Sequence, residues 1–76
     1  MYFGTFIKNQ RIIKEKSQKE VAIYLGVRRQ SISKWENNVA YPSLEHLFYL
    51  SEYLELSLED MLGHLHDSLS SKKGGH

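Results

Sequence analysis

The chain contains no cysteine and only one proline. Without cysteine there can be no disulfide and no thiolate ligand for zinc or an iron–sulfur cluster, a composition that suits a reducing compartment. Its apolar runs are only a few residues long, far short of the roughly 20 that a helix needs to cross a bilayer. The opening MYFGTFIKNQ also lacks the basic-then-apolar layout of a secretion signal. A cytoplasmic location is therefore expected. Enzyme chemistry has little to work with. His46, His64, His66 and His76 are scattered, and the i, i+2 spacing of His64 and His66 splays the rings on a helix instead of converging them on a metal. No Ser-His-Asp arrangement, phosphate-cradling glycine loop or carboxylate pair is visible by spacing. We expect no catalysis, no metal and no cofactor.

What is present is a 76-residue chain, 41% apolar, enough for one small domain with a modest core. Its net charge of +1 conceals a strong asymmetry. Residues 1–34 carry Lys8, Arg11, Lys14, Lys16, Lys19, Arg28, Arg29 and Lys34 against only Glu15 and Glu20. Residues 35–71 carry Glu36, Glu45, Glu52, Glu55, Glu59, Asp60 and Asp67 and no lysine or arginine, before Lys72 and Lys73. A basic half of this kind attracts polyanions.

The hydrophobic pattern is helical throughout, with no alternating strand signal and no internal repeat. Phe3, Phe6, Ile7 and Ile13 define an amphipathic helix over about 3–14. SQKE at 17–20 is a capping box that opens a second helix, with Val21, Ala22 and Leu25 facing inward. Gly26 ends it, because a helix exit favours the left-handed conformation that glycine adopts freely. A third helix over about 29–36 buries Ile32 and Trp35. After the loop NNVAYP, Pro42 and Ser43 start a fourth helix with Leu44, Leu47, Leu50 and Leu54 at helical spacing. A second capping box, SLED at 57–60, opens a short fifth helix with Leu58, Met61 and Leu62, which Gly63 is expected to stop. The polar remainder, 64–76, is expected to be a frayed or disordered tail. This is an all-α, five-helix domain over 1–63.

The stretch Gln18–Trp35 carries the most specific signal. Two helices joined by about three residues must cross steeply. Such a crossing needs a small residue at the contact (Ala22), a residue free to take positive φ at the bend (Gly26) and an apolar plug behind it (Val27). Inward apolar residues are also needed on both sides, here Val21, Leu25, Ile32 and Trp35. Together these make a helix-turn-helix, whose second helix stands clear of the body.

With SQ opening the second helix, LGV at the bend, then ISKWE and P-S-L-E, residues 3–63 resemble the Xre or Cro/repressor family of helix-turn-helix domains. The resemblance implies a compact lambda-repressor-like fold and a transcriptional regulator, expected to be a repressor, that binds operator double-stranded DNA without enzymatic activity. It usually does so as a dimer, for which a palindromic operator is the natural target. On the third helix, Arg29, Gln30, Ser33 and Lys34 point away from Ile32 and Trp35. Arginine reads guanine O6 and N7, and glutamine reads adenine N6 and N7. The family's base-contacting places fall on Arg29, Gln30 and Lys34, the last equally suited to a phosphate. Phosphate contacts are expected from Gln18, Arg28, Ser33, Asn37 and Arg11, and Lys8, Lys14, Lys16 and Lys19 add diffuse attraction. The resemblance also pairs Arg11 with Glu36.

Three positions depart from the family pattern. Arg28 replaces the usual Ser or Thr before the third helix, losing a cap of about 1 kcal/mol. Lys16 and Gln10 replace apolar residues around the first helix. Tyr49, Tyr53 and Leu56, in the acidic leucine-rich half, are candidates for a homodimer interface. The alternative use of that half is to bind an antagonist protein.

Overall fold

A computed structural model describes residues 1–74, with side chains described for 1–71. Five helices follow in order: α1 (Phe3–Ile13), α2 (Gln18–Leu25), α3 (Arg29–Glu36), α4 (Leu44–Tyr53) and α5 (Leu58–Gly74). There is no strand among the described residues, and no helix there is long and apolar enough to cross a membrane.

Local chemistry sets most of the helix ends. Ser17 Oγ accepts from the Glu20 backbone N–H at 3.0 Å while the Glu20 carboxylate accepts from the Ser17 N–H at 2.9 Å, completing the capping box. Ser43 Oγ accepts from the His46 N–H, and Ser57 Oγ from the Asp60 N–H, opening α4 and α5. Gly26 takes φ +71° and ends α2, with the next N–H, Val27, donating back to Ala22 O at 3.0 Å. Glu15, Asn38 and Glu55 end their helices with φ near +60° although none is glycine, a strained choice that asparagine tolerates best.

The core gathers Phe3 and Ile7 from α1, Val21, Ala22 and Leu25 from α2, Ile32 and Trp35 from α3, Leu47, Leu50 and Leu54 from the α4 region and Met61 from α5. α3 packs on α1 and α2, and α5 packs on α1 and α4. Gly4 makes the α1–α3 contact possible: a Cβ there would lie 2.4 Å from Trp35 O and 2.6 Å from Glu36 O. The same glycine's N–H donates to Asn38 Oδ1 at 2.9 Å, which ties the start of α1 to the end of α3.

The structure corrects several expectations. Ile13 is 66% exposed: it is six residues beyond Ile7, well round the helix from the Phe3–Ile7 face, and it sits on the final turn. Leu44 is exposed because it is the first residue of α4. On α5 only Met61 of the three expected residues is fully buried, with Leu58 and Leu62 on its open edge. The largest correction concerns Gly63, which does not stop α5. A helical glycine costs about 1 kcal/mol relative to alanine, and packing beyond it offsets that cost. Leu65 packs on the core, and the buried Ser68 hydroxyl accepts from the Phe3 N–H at 2.7 Å. Residues 64–71 are therefore helix docked on α1, where a frayed tail was expected. Residues 75 and 76 of that expected tail lie outside the described residues.

Candidate nucleic-acid interface

α3 is anchored on one side and free on the other. Ile32 and Trp35 are 1% and 5% exposed, whereas Arg28, Arg29, Gln30 and Lys34 are all exposed, with Ser33 half-buried between them. Three cations and an amide therefore stand on a rigid helix that bends away from α2 at Gly26. Arg28 occupies the N-cap of α3 in extended conformation and makes no side-chain cap, which leaves its guanidinium available to an outside partner.

Behind this surface runs a chain of hydrogen bonds. The Arg11 guanidinium donates through Nε to Glu36 Oε2 at 2.6 Å and through Nη2 to Oε1 at 3.1 Å, forming a fork on a carboxylate only 3% exposed. Arg11 Nη1 also donates to Lys16 O at 2.8 Å. Gln18 Nε2 donates to Glu36 Oε1 at 3.0 Å, and Arg29 Nη1 donates to Gln18 Oε1 at 3.0 Å. Glu36 is thus the hub that links α1, the start of α2 and the end of α3. Gln18 has one amide hydrogen left over, and Arg29 is oriented by its neighbour instead of sweeping freely.

Asn37 folds back on its own helix, its Nδ2 donating to Ser33 O at 2.9 Å and lying 3.4 Å from Ser33 Oγ. The lysines divide into two groups. Lys8 and Lys19 are exposed, but Lys14 lies 3.7 Å from Glu55 and Lys16 stands 5.4 Å from the centre of the Tyr53 ring. Those two are drawn toward the end of α4, away from α3. The start of α2 already holds the Glu20 carboxylate, whose pKa is lowered by hydrogen bonds from the Ser17 backbone and then its hydroxyl. That negative charge competes with any phosphate approaching the α2 N-terminus.

Tyr49, Tyr53 and Leu56 are half-buried against the core, and Tyr53 stacks on Tyr24. The apolar side chains that α4 and α5 leave more open are Leu44, Phe48, Leu58, Leu62 and Leu69. Sequence spacing did not reveal the Gln18–Arg29 bond, which spans the bend, or the Ser68 and Asn38 bonds to α1. A polar residue seen in isolation does not show which distant backbone N–H it will meet.

A family model described as Helix-turn-helix matches residues 7–61. The SPbeta prophage-derived uncharacterized HTH-type transcriptional regulator YonR of Bacillus subtilis is 38% identical over 64 residues, covering 84% of this chain and 59% of that protein. The chain spans between 30% and 59% of the lengths of the curated relatives it matches. Among solved structures, the P22 c2 repressor bound to a synthetic operator superposes with a TM-score of 0.79 at 28% identity, covering 84% of this chain and 97% of that one. SinR, a master regulator for biofilm formation solved with DNA, gives 0.72 at 33%, covering 79% and 97%. A SinR–SinI protein complex gives 0.74 at 31%, covering 96% and 72%.

Proposed function

The chain belongs to the Xre/Cro-like helix-turn-helix family, and from that premise we propose that the five-helix domain, with α5 continuing past Gly63, is a sequence-specific reader of double-stranded DNA that regulates transcription as a repressor, without catalysis. The observation that carries this reading is the two-sidedness of α3: Ile32 and Trp35 are locked into the core while Arg29, Gln30 and Lys34 face solvent. Two proteins solved on DNA share the fold. α3 lies in the major groove, where Arg29 reads guanine, Gln30 reads adenine, and Lys34 contacts a base edge or phosphate. Arg28, Ser33, Asn37, Arg11 and the free amide hydrogen of Gln18 hold the backbone on either side. Since Asn37 now caps α3, its side chain must swing out or share its hydrogens to reach a phosphate.

One such module covers few base pairs, so useful specificity calls for a homodimer on a palindromic operator with half-sites about one helical turn apart. The acidic α4–α5 half repels DNA and disfavours docking by the wrong face. That half is also where an antagonist protein would bind. That a structural neighbour, SinR, was solved in complex with the protein SinI supports a protein partner for this fold. The reading places the protein in a bacterial or phage-infected cytoplasm, on the nucleoid.

Selection of sites from random duplex, followed by anisotropy titration against salt, tests the proposal. The expected result is an enriched palindrome, steeply salt-dependent affinity, and a loss of about 1–3 kcal/mol of base discrimination at one position for each of Arg29→Ala and Gln30→Ala. Absence of duplex binding at low salt, or an unchanged preference in both variants, would overturn it.

A further inference from the structure

Among the described residues, Glu15, Asn38 and Glu55 take the left-handed conformation without being glycine. Of these, Asn38 alone bonds its side chain to the backbone of another helix: Oδ1 accepts from the Gly4 N–H at 2.9 Å. A glycine would end α3 at lower strain but would bring no such acceptor. We propose that Asn38 is a positioning residue for DNA reading, which fixes the end of α3 that carries Lys34 and Asn37. The proposal rests on the DNA reading above and adds to it a residue that acts without touching DNA.

Three observations carry this role. First, Asn38 closes the backbone turn on which Lys34 sits. Its N–H donates to Trp35 O at 3.2 Å, and the Lys34 carbonyl accepts from the N–H groups of Val39 at 2.9 Å and Ala40 at 3.3 Å. Second, the anchor that Asn38 grips is itself well held. Tyr2 supplies no side-chain cap to α1, so free N–H groups in its first turn are met by remote side chains, Phe3 by Ser68 Oγ at 2.7 Å and Gly4 by Asn38. Phe3 is fully buried, and Gly4 lies against the Trp35 and Glu36 carbonyls. The Asn38 bond therefore holds α3 against a fixed part of the core. Third, the opposite end of α3 has its own tether, the bond from Arg29 Nη1 to Gln18 Oε1 at 3.0 Å. Arg29 stands about 7.5 Å along the axis from Lys34. Loss of the Asn38 bond disturbs Lys34 and leaves Arg29 in place, a difference that general destabilisation would not produce.

Double-mutant cycles on a duplex selected from random sequence test this. Asn38→Gly keeps the left-handed turn and deletes the acceptor, whereas Asn38→Asp keeps both. Affinities are read by anisotropy at a temperature where circular dichroism shows every variant folded. Lys34→Ala should weaken binding by about tenfold in the wild type and by about threefold or less in Asn38→Gly. Arg29→Ala should cost the same in the two backgrounds to within about twofold. Asn38→Asp should restore the full Lys34→Ala ratio, although its added charge lowers the overall affinity for a polyanion. An equal Lys34→Ala ratio in the wild type and Asn38→Gly, or an Arg29→Ala ratio that shrinks in step with it, would overturn the positioning role. So would a ratio that stays as small in Asn38→Asp as in Asn38→Gly. Each of these results leaves the DNA reading standing, whereas a wild type that binds no duplex would sink both.

Discussion

Removing Arg11 offers the most direct test of how this domain is held together. Arg11→Ala deletes the forked contact to Glu36, at 2.6 and 3.1 Å, and the bond to Lys16 O at 2.8 Å. The Glu36 side chain is 3% exposed, so its carboxylate keeps only the neutral bond from Gln18 and gains little water. Breaking a buried ion pair from one side costs about 3–5 kcal/mol, chiefly through the unpaired charge left behind. The Arg11 side chain is itself 13% exposed, which gives water a path into the vacated space and favours the lower end, about 3 kcal/mol. A domain of this length holds roughly 4–11 kcal/mol in total, and each kcal/mol lowers the melting midpoint of so small a domain by about 4–8 °C. Thermal melts by circular dichroism should therefore fall by about 12–24 °C, with a matching shift in urea. Arg11→Met/Glu36→Leu should recover more than half of the loss, because it leaves no lone charge in the interior. A single variant melting within about 2 °C of the wild type would refute the claim that Glu36 is a buried hub.

The two glycines with structural duties should respond differently to alanine. Gly26→Ala meets open space and loses only the ease of a +71° φ, a cost of about 1–2 kcal/mol. Gly4→Ala places a Cβ against the Trp35 and Glu36 carbonyls, backbone atoms that cannot rotate aside, and should cost more than about 2 kcal/mol in the same urea titration. Arg28→Ser installs the missing cap on α3 and should add about 1 kcal/mol of stability; if Arg28 contacts a phosphate, duplex affinity should fall and the salt slope should shrink by about 0.9. Glu20 titrates below its ordinary 4.5 because the Ser17 backbone and hydroxyl hydrogen-bond its charged form. A depressed folded pKa adds stability that is present above the unfolded value and lost as pH falls through the folded one. Glu20→Gln should therefore show a shallower decline of melting midpoint below about pH 5 than the wild type; parallel declines would contradict the capping geometry.

Much of the molecule is legible in its order of residues because the governing interactions are local. The two serine-opened helices, the turn at Gly26, the inward set Val21, Leu25, Ile32 and Trp35, and the outward set on α3 all follow from spacing within a few turns. Capping and helical periodicity operate over three or four residues, so a reader of the sequence sees both partners at once. Three outcomes had no such signal. Gly63 looks like a stop, but the packing of Leu65 on the core and the bond from the Phe3 N–H to Ser68 favour helix beyond it. Leu44, Leu58 and Leu62 share the inner periodicity, but the packed helices leave Leu44 74% exposed and Leu58 and Leu62 38% and 42% exposed. Gln18 was legible as a contact residue, but not as the link between Glu36 and Arg29. In each case the deciding partner lies many residues away in the chain. Burial and long-range hydrogen bonding depend on which surfaces the packed helices bring together, and that arrangement exists only once the chain has folded.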